Sequence, residues 1–184
     1  MRFWLLAVPA FFSFAVGAQV LAPQYPGGFK PEFDEDKTWE EQRGALPAYP
    51  VAQKLIRIDV STISAFEFFV DPDSVSVGKD GVTRYTLVAR SSSGATNVSY
   101  EGIRCALRER KLYAFGRADG TWAPARTSEW ARISGTQVNR QHAALADDFF
   151  CTSTGDVRTA EAAVAALKRR GPPGSRLYLP DEPR

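Results

Sequence analysis

The chain carries one histidine, two cysteines and 21 acidic residues, so few side chains are available for acid–base, nucleophilic or metal chemistry. His142 is the sole imidazole. Asp147 and Asp148 follow it by five and six residues, a spacing that does not set them beside it on a helix. General-base work needs a nucleophile and an orienting carboxylate within hydrogen-bond reach, and the chain has no Gly-x-Ser-x-Gly elbow. A hydrogen-bonded core histidine is the plainer expectation. The catalytic alternative is a hydrolase acting on envelope polymers with a carboxylate pair, Glu101 with Asp119 or Asp148, which requires both groups in one cleft about 5–10 Å apart. The acidic run Asp34-Glu35-Asp36 lacks calcium-loop spacing, and we expect neither a metal nor a cofactor.

A second kind of chemistry lies in the guanidiniums. In the run from Asn97 to Leu107, Ile103, Cys105 and Leu107 alternate onto one side, and the two-residue period of a strand sends Val98, Tyr100, Arg104 and Arg108 to the other. On the preceding run Tyr85, Leu87 and Ala89 read inward, and Arg84, Thr86 and Arg90 outward. One sheet face therefore gathers Arg84, Arg90, Tyr100, Arg104 and Arg108. The planar fork of arginine pairs with carboxylate or phosphate, so this face suits an anionic partner. It could equally be a solvated surface, or one paired with Glu40, Glu41 and the acidic segment before them. Glu101 breaks the alternation, since strict period two aims it at the core. Either the adjacent Gly102 marks a bulge that turns it outward, or it points inward and needs an arginine or several donors.

These groups must be positioned by elements, and the elements by a compartment. Arg2, the apolar run Phe3 to Val16 and the small residues Val16-Gly17-Ala18 have the form of a secretory signal, with residues 1–18 removed on export. The run is too short to span a bilayer, which takes about 20 residues, so no membrane anchoring is expected after cleavage. A periplasmic or secreted location follows. The net charge of +2 falls by one to +1 once Arg2 is gone, so global charge names no partner. Nucleic acid is not expected, because there is no basic helix and no pair of base-stacking aromatic motifs. In an oxidising compartment two cysteines have a single pairing, Cys105 with Cys151. Closing that loop contributes about 4 kcal/mol in the loop-entropy account.

The Pro-, Gly- and charge-rich segment 19–49 reads as an extended strap, with Phe33 and Trp39 as aromatics able to pin it to a core. A single α+β domain is expected over 50–155. Its predicted strands are 56–60, 67–71 stopped by Pro72, edge-type strands 75–77 and 82–91 joined through Asp80-Gly81, then 97–107 and 108–116, with a turn at Asp119-Gly120. Together they make an antiparallel meander. Val138, His142, Leu145 and Phe149 recur at helical spacing and deliver Cys151, so the disulfide would clamp a helix onto the sheet. A peripheral helix is expected from Thr159 to Arg170 within 156–171, with Val157, Ala160, Val164 and Leu167 as its sparse apolar side; a flexible tail, 172–184, follows.

Four phrases in order, FDEDKTWEEQ (33–42), YEGIRC (100–105), KLYAFGRADGTW (111–122) and NRQHAALADDFFC (139–151), resemble the cryptic neisserial protein family. The resemblance implies an exported protein with one uncharacterised domain, and carries no catalytic residues onto this chain. Our expectation is a non-enzymatic binding or accessory module of the cell envelope whose Arg/Tyr face meets an anionic envelope component or protein.

Overall fold

The computed structural model describes residues 38–42, 44–60, 64–134 and 140–169, and all that follows belongs to the compact unit that begins at Trp39. The leader, Phe33, the acidic run 34–36, Val138 and the C-terminal tail lie outside the described residues.

Seven antiparallel strands form one sheet: β1 (Ile56–Ile58), β2 (Phe66–Val77), β3 (Val82–Ser91), β4 (Thr96–Arg104), β5 (Glu109–Gly116), β6 (Trp122–Pro124) and β7 (Ala131–Arg132). Strands β1 to β6 are neighbours in chain order, and β7 shares the outer edge of β5 with β6. This is the expected α+β meander, and its turns fall at the glycines that need positive φ: Gly81, Gly94 and Gly120. One helical segment follows, α1 (Arg140–Ala144) continued by a wider π turn, Leu145–Phe150, and then α2 (Ala160–Arg169). No described helix is long and apolar enough to cross a membrane.

Two strand expectations are corrected. Pro72 does not stop β2, because the ladder with β3 is irregular between Asp71 and Ser76 and no backbone donor is required there. Ser74 replaces the missing rungs: its hydroxyl donates to Asp71 O (2.7 Å) and accepts from Thr86 N (2.8 Å). β3 is not an edge strand either. It pairs with β2 and β4 along most of its length, and Val82 through Val88 are all buried. Its polar positions Thr83, Arg84 and Thr86 suggest a wetted side, but both faces of the sheet are covered.

The inner face holds Ile58, Val70, Tyr85, Leu87 and Ile103 against Leu145, Phe149, Phe150 and Leu167. Tyr85 and Phe150 are its largest fully buried side chains and their rings lie 4.8 Å apart. Burying one such ring is worth roughly 1.5–3 kcal/mol. The stripe His142, Leu145, Phe149 is buried as expected, together with Ala146 and Phe150, which a 3.6-residue period leaves to the side. The π turn supplies the reason, since Cys151 N bonds to Ala146 O, five residues back, and the wider turn brings successive residues inward.

The disulfide joins Cys105, just past β4, to Cys151 at the end of the π turn, with Cα atoms 5.6 Å apart. A bidentate pair between Arg108 and Asp147 ties the same turn to the same helix. α2 is capped by the Thr159 hydroxyl, which accepts from Ala162 N at 3.2 Å. It buries Ala163, Ala166 and Leu167 in the same core cluster, more than its sparse apolar side implies.

Candidate functional site

Glu101 points inward. It lies in the middle of β4, opposite Tyr85 on β3 and Leu112 on β5, and is only 6 % exposed. Three donors meet its carboxylate: Tyr85 OH at 3.0 Å and His142 Nε2 at 2.7 Å on Oε2, and Ser99 Oγ at 2.6 Å on Oε1. Burial acts to raise the pKa of this acid, but hydrogen bonding and charge from His142, then Ser99 and Tyr85, outweigh it and hold the carboxyl below its ordinary value. The Tyr85 phenol is pushed well up, first by burial and then by the Glu101 charge. His142, 4 % exposed, turns Nε2 to Glu101 and leaves Nδ1 buried without a hydrogen-bond partner among the described residues. The network therefore has several donors on one acid, and the serine hydroxyl faces the carboxylate instead of the imidazole. Asp119 bonds Thr121 in the turn beyond the end of β5, so it is not brought to Glu101. Asp148 lies on the π turn, partly buried.

The other face of the sheet carries the arginines, and a strap covers it. Arg84, Tyr100 and Arg104 share this side with Gly102. Arg84 is buried and grips Asp80 through both nitrogens, at 3.2 and 2.6 Å, and its second nitrogen also donates to Gln42 O at 2.6 Å. Desolvation acts against the Arg84 charge, but the Asp80 bond more than offsets it and raises the guanidinium. Arg104 pairs with Glu109 and stacks beneath Trp39 at 4.1 Å and Trp130 at 5.2 Å. Arg90 lies further along, over the Phe69 ring at 5.0 Å. Arg108 leaves the face: β4 ends at Arg104, the turn that follows breaks the alternation, and Arg108 with φ 53° reaches the helix side.

The strongest polar convergence on this face lies on residues that alternation alone does not single out. The carboxylate of Glu41 receives Lys111 Nζ at 2.6 Å and Trp130 Nε1 at 3.3 Å on one oxygen, and Tyr113 OH at 2.7 Å on the other. Burial works to raise Glu41, yet the Lys111 and Tyr113 bonds prevail and lower it. Burial and then the Glu41 bond drive the Tyr113 phenol far upward. Two residues earlier, Trp39 packs edge-on against Trp130 at 5.9 Å and donates its indole N–H to Asp80 O at 2.8 Å. Gln42 N donates to Asp80 Oδ2 at 2.8 Å. Further along, Trp122 Nε1 donates to Pro47 O and Tyr49 OH to Arg117 O, both at 2.9 Å. Within the described residues the strap is thus pinned by hydrogen bonds and rings at successive points.

A bulge makes this box. Tyr100 pairs with Ala114 and Glu101 with Leu112, which leaves Tyr113 as the extra residue on β5. The irregularity expected at Gly102 is therefore displaced to the neighbouring strand, and Glu101 stays inward. Gly102 instead provides space. A Cβ there would meet the Tyr113 hydroxyl at 2.7 Å and Val82 Cγ1 at 3.0 Å, so only glycine leaves room for the phenol that reads Glu41. A hint was present in the sequence, where Lys111-Leu112-Tyr113 interrupts strict alternation opposite the glycine.

A family model for the CNP1-like family matches residues 34–168, spanning the described part of the strap, the whole sheet and nearly all of α2. The chain belongs to the CNP1-like family. The match takes in the helix after Gly155, which the sequence phrases alone did not reach. Among curated proteins the chain is similar to cryptic neisserial protein 1 of Neisseria gonorrhoeae (strain ATCC 700825 / FA 1090), 28 % identical over 121 residues, covering 58 % of this chain and 60 % of that protein. The chain thus spans about 60 % of the length of this relative. No solved structure matches. As a CNP1-like protein it joins a family without an assigned activity, so function must be argued from the geometry of its two faces.

Proposed function

We propose that this CNP1-like domain is an exported, non-enzymatic binding or accessory module of the cell envelope, and that its Arg/Tyr sheet face receives an anionic partner. One observation carries the reading: Lys111, Tyr113 and Trp130 converge on both oxygens of a single carboxylate, with Arg104 stacked beside them. Such convergent, partly desolvated donors are how proteins recognise carboxylates. The disulfide agrees with an oxidising compartment, where such bonds persist. A binding role also fits the inner face, where the Glu101 carboxylate is spent on three internal donors.

The test is titration of the mature protein with polyglutamate, a plain anionic probe. Raising ionic strength from about 0.01 to 0.15 M shortens the screening length from ~30 to ~8 Å and should weaken binding several-fold. Lys111→Glu and Arg104→Glu should each abolish it while circular dichroism and the disulfide stay intact. Binding that ignores both charge reversals and salt would end the proposal.

A further inference from the structure

The anion already seated on this face belongs to the chain itself, and the way it is seated describes the partner. Trp39 and Glu41 are two residues apart, so in an extended segment their side chains project to the same side. Trp39 occupies the slot formed by Arg104 and Trp130, and Glu41 the donor box beside it. The segment adds no strand to the sheet among the described residues. It is held by side chains and by the bonds of Gln42 N to Asp80 and of Gln42 O to Arg84, which a segment from another molecule can reproduce.

Part of the receptor side does not depend on the strap. Without it, Arg84 keeps both bonds to Asp80 and Arg104 keeps Glu109, while Arg84 loses Gln42 O and Asp80 loses Gln42 N and the Trp39 indole. Lys111 and Tyr113 lose their carboxylate, and Trp130 its acceptor. Trp39 itself remains 39 % exposed. The Glu41–Lys111 pair keeps only a margin of exposure, 20 % and 16 %, and the strap adds no residue to the apolar cluster of the inner face.

We infer that the partner is an acidic segment of another protein bearing an aromatic ring two residues before a carboxylate, and that Trp39–Gln42 is the resident stand-in it displaces. This rests on the binding role proposed for the face and adds the class of ligand. A polyanion without rings satisfies the donor box and leaves the slot between Arg104 and Trp130 empty. A peptide with the ring–carboxylate spacing fills both. Because a tethered segment competes at an effective concentration of roughly millimolar, the intact strap masks the site.

The experiment uses the mature chain as wild type, as Glu41→Gln and as Trp39→Ala/Glu41→Ala, titrated with a fluorescein-labelled peptide of residues 37–46 and, separately, with polyglutamate. The peptide should bind the double variant at least tenfold more tightly than wild type. Placing Gln at its Glu41 position, or Ala at its Trp39 position, should cost tenfold or more, as should Lys111→Ala in the receptor. Glu41→Gln preserves side-chain shape, so it supplies the same comparison, at smaller amplitude, if the double variant does not fold. Polyglutamate binding without peptide binding would overturn the inference and leave the anionic face standing; failure of both probes would remove the proposed function as well.

Discussion

The two faces of this sheet solve the same problem, a carboxylate set among donors, in opposite ways. On the inner face Glu101 sits beneath the helices, where Tyr85 and His142 are buried and Ser99 is half-buried. On the outer face Glu41 arrives on a strap without regular structure, and its donors Lys111, Tyr113 and Trp130 remain partly reachable. A buried charged pair is costly to break because the survivor cannot be rehydrated; the outer pair, with side chains 16 % and 20 % exposed, keeps some access to solvent. The contrast supports reading the inner network as architecture and the outer one as the proposed interaction site.

That contrast can be broken by measurement, starting with the covalent tie on the inner side. Replacing both cysteines, Cys105→Ser/Cys151→Ser, should lower unfolding free energy by about 4 kcal/mol in denaturant titrations, and the unreduced wild type should yield no alkylatable thiol. His142→Ala should cost about 3 kcal/mol, since it leaves the Glu101 carboxylate buried with two of its three donors. A loss under 1 kcal/mol would mean that the inner network is not structural.

The inner network also has a pH signature. The Glu101 carboxyl is held below its ordinary value of 4.5, so its contribution is complete above that pH and is lost as pH falls through the depressed folded value. Stability measured from pH 7 downward should therefore fall less steeply below pH 4.5 in Glu101→Gln than in wild type. An identical acid limb in both would contradict the assignment.

Gly102→Ala joins the two faces, because it leaves Glu101 in place while pushing against Tyr113. We expect a loss of about 1–3 kcal/mol from overpacking and a clear loss of polyglutamate binding, read by thermal melt and titration. The smallest effect belongs to the strap: Glu41→Ala takes the acceptor from Lys111, Tyr113 and Trp130 and should cost about 1 kcal/mol. A larger loss would make the strap part of the core and weaken the distinction between the two faces.

Much of the frame was legible in the residues. Alternation in Val82–Ser91 and Thr96–Arg104, Asp-Gly at both tight turns and the His142, Leu145, Phe149 stripe are local signals, and each led to the right element. The misreadings have one cause, which is that local pattern does not know what covers a face. β3 looked like an edge because Arg84 and Thr86 are polar, yet Arg84 is buried with Asp80 as its partner. Pro72 looked like a stop because the compensating Ser74 hydroxyl is visible only in three dimensions.

By itself the sequence determined the elements, their antiparallel order, the single possible sulfur pairing and the inward aim of Tyr85, because period, turn chemistry and cysteine count act over a few residues or allow one answer. Only the tertiary structure decided that Glu101 takes the lone histidine, that the bulge belongs to Tyr113, and that Trp39 and Glu41 seat themselves on the arginine face. The contacts of Glu101 with His142 and of Glu41 with its donors join residues some 40 to 90 positions apart, and which distant groups meet is set by the packing of whole elements and not by any local preference.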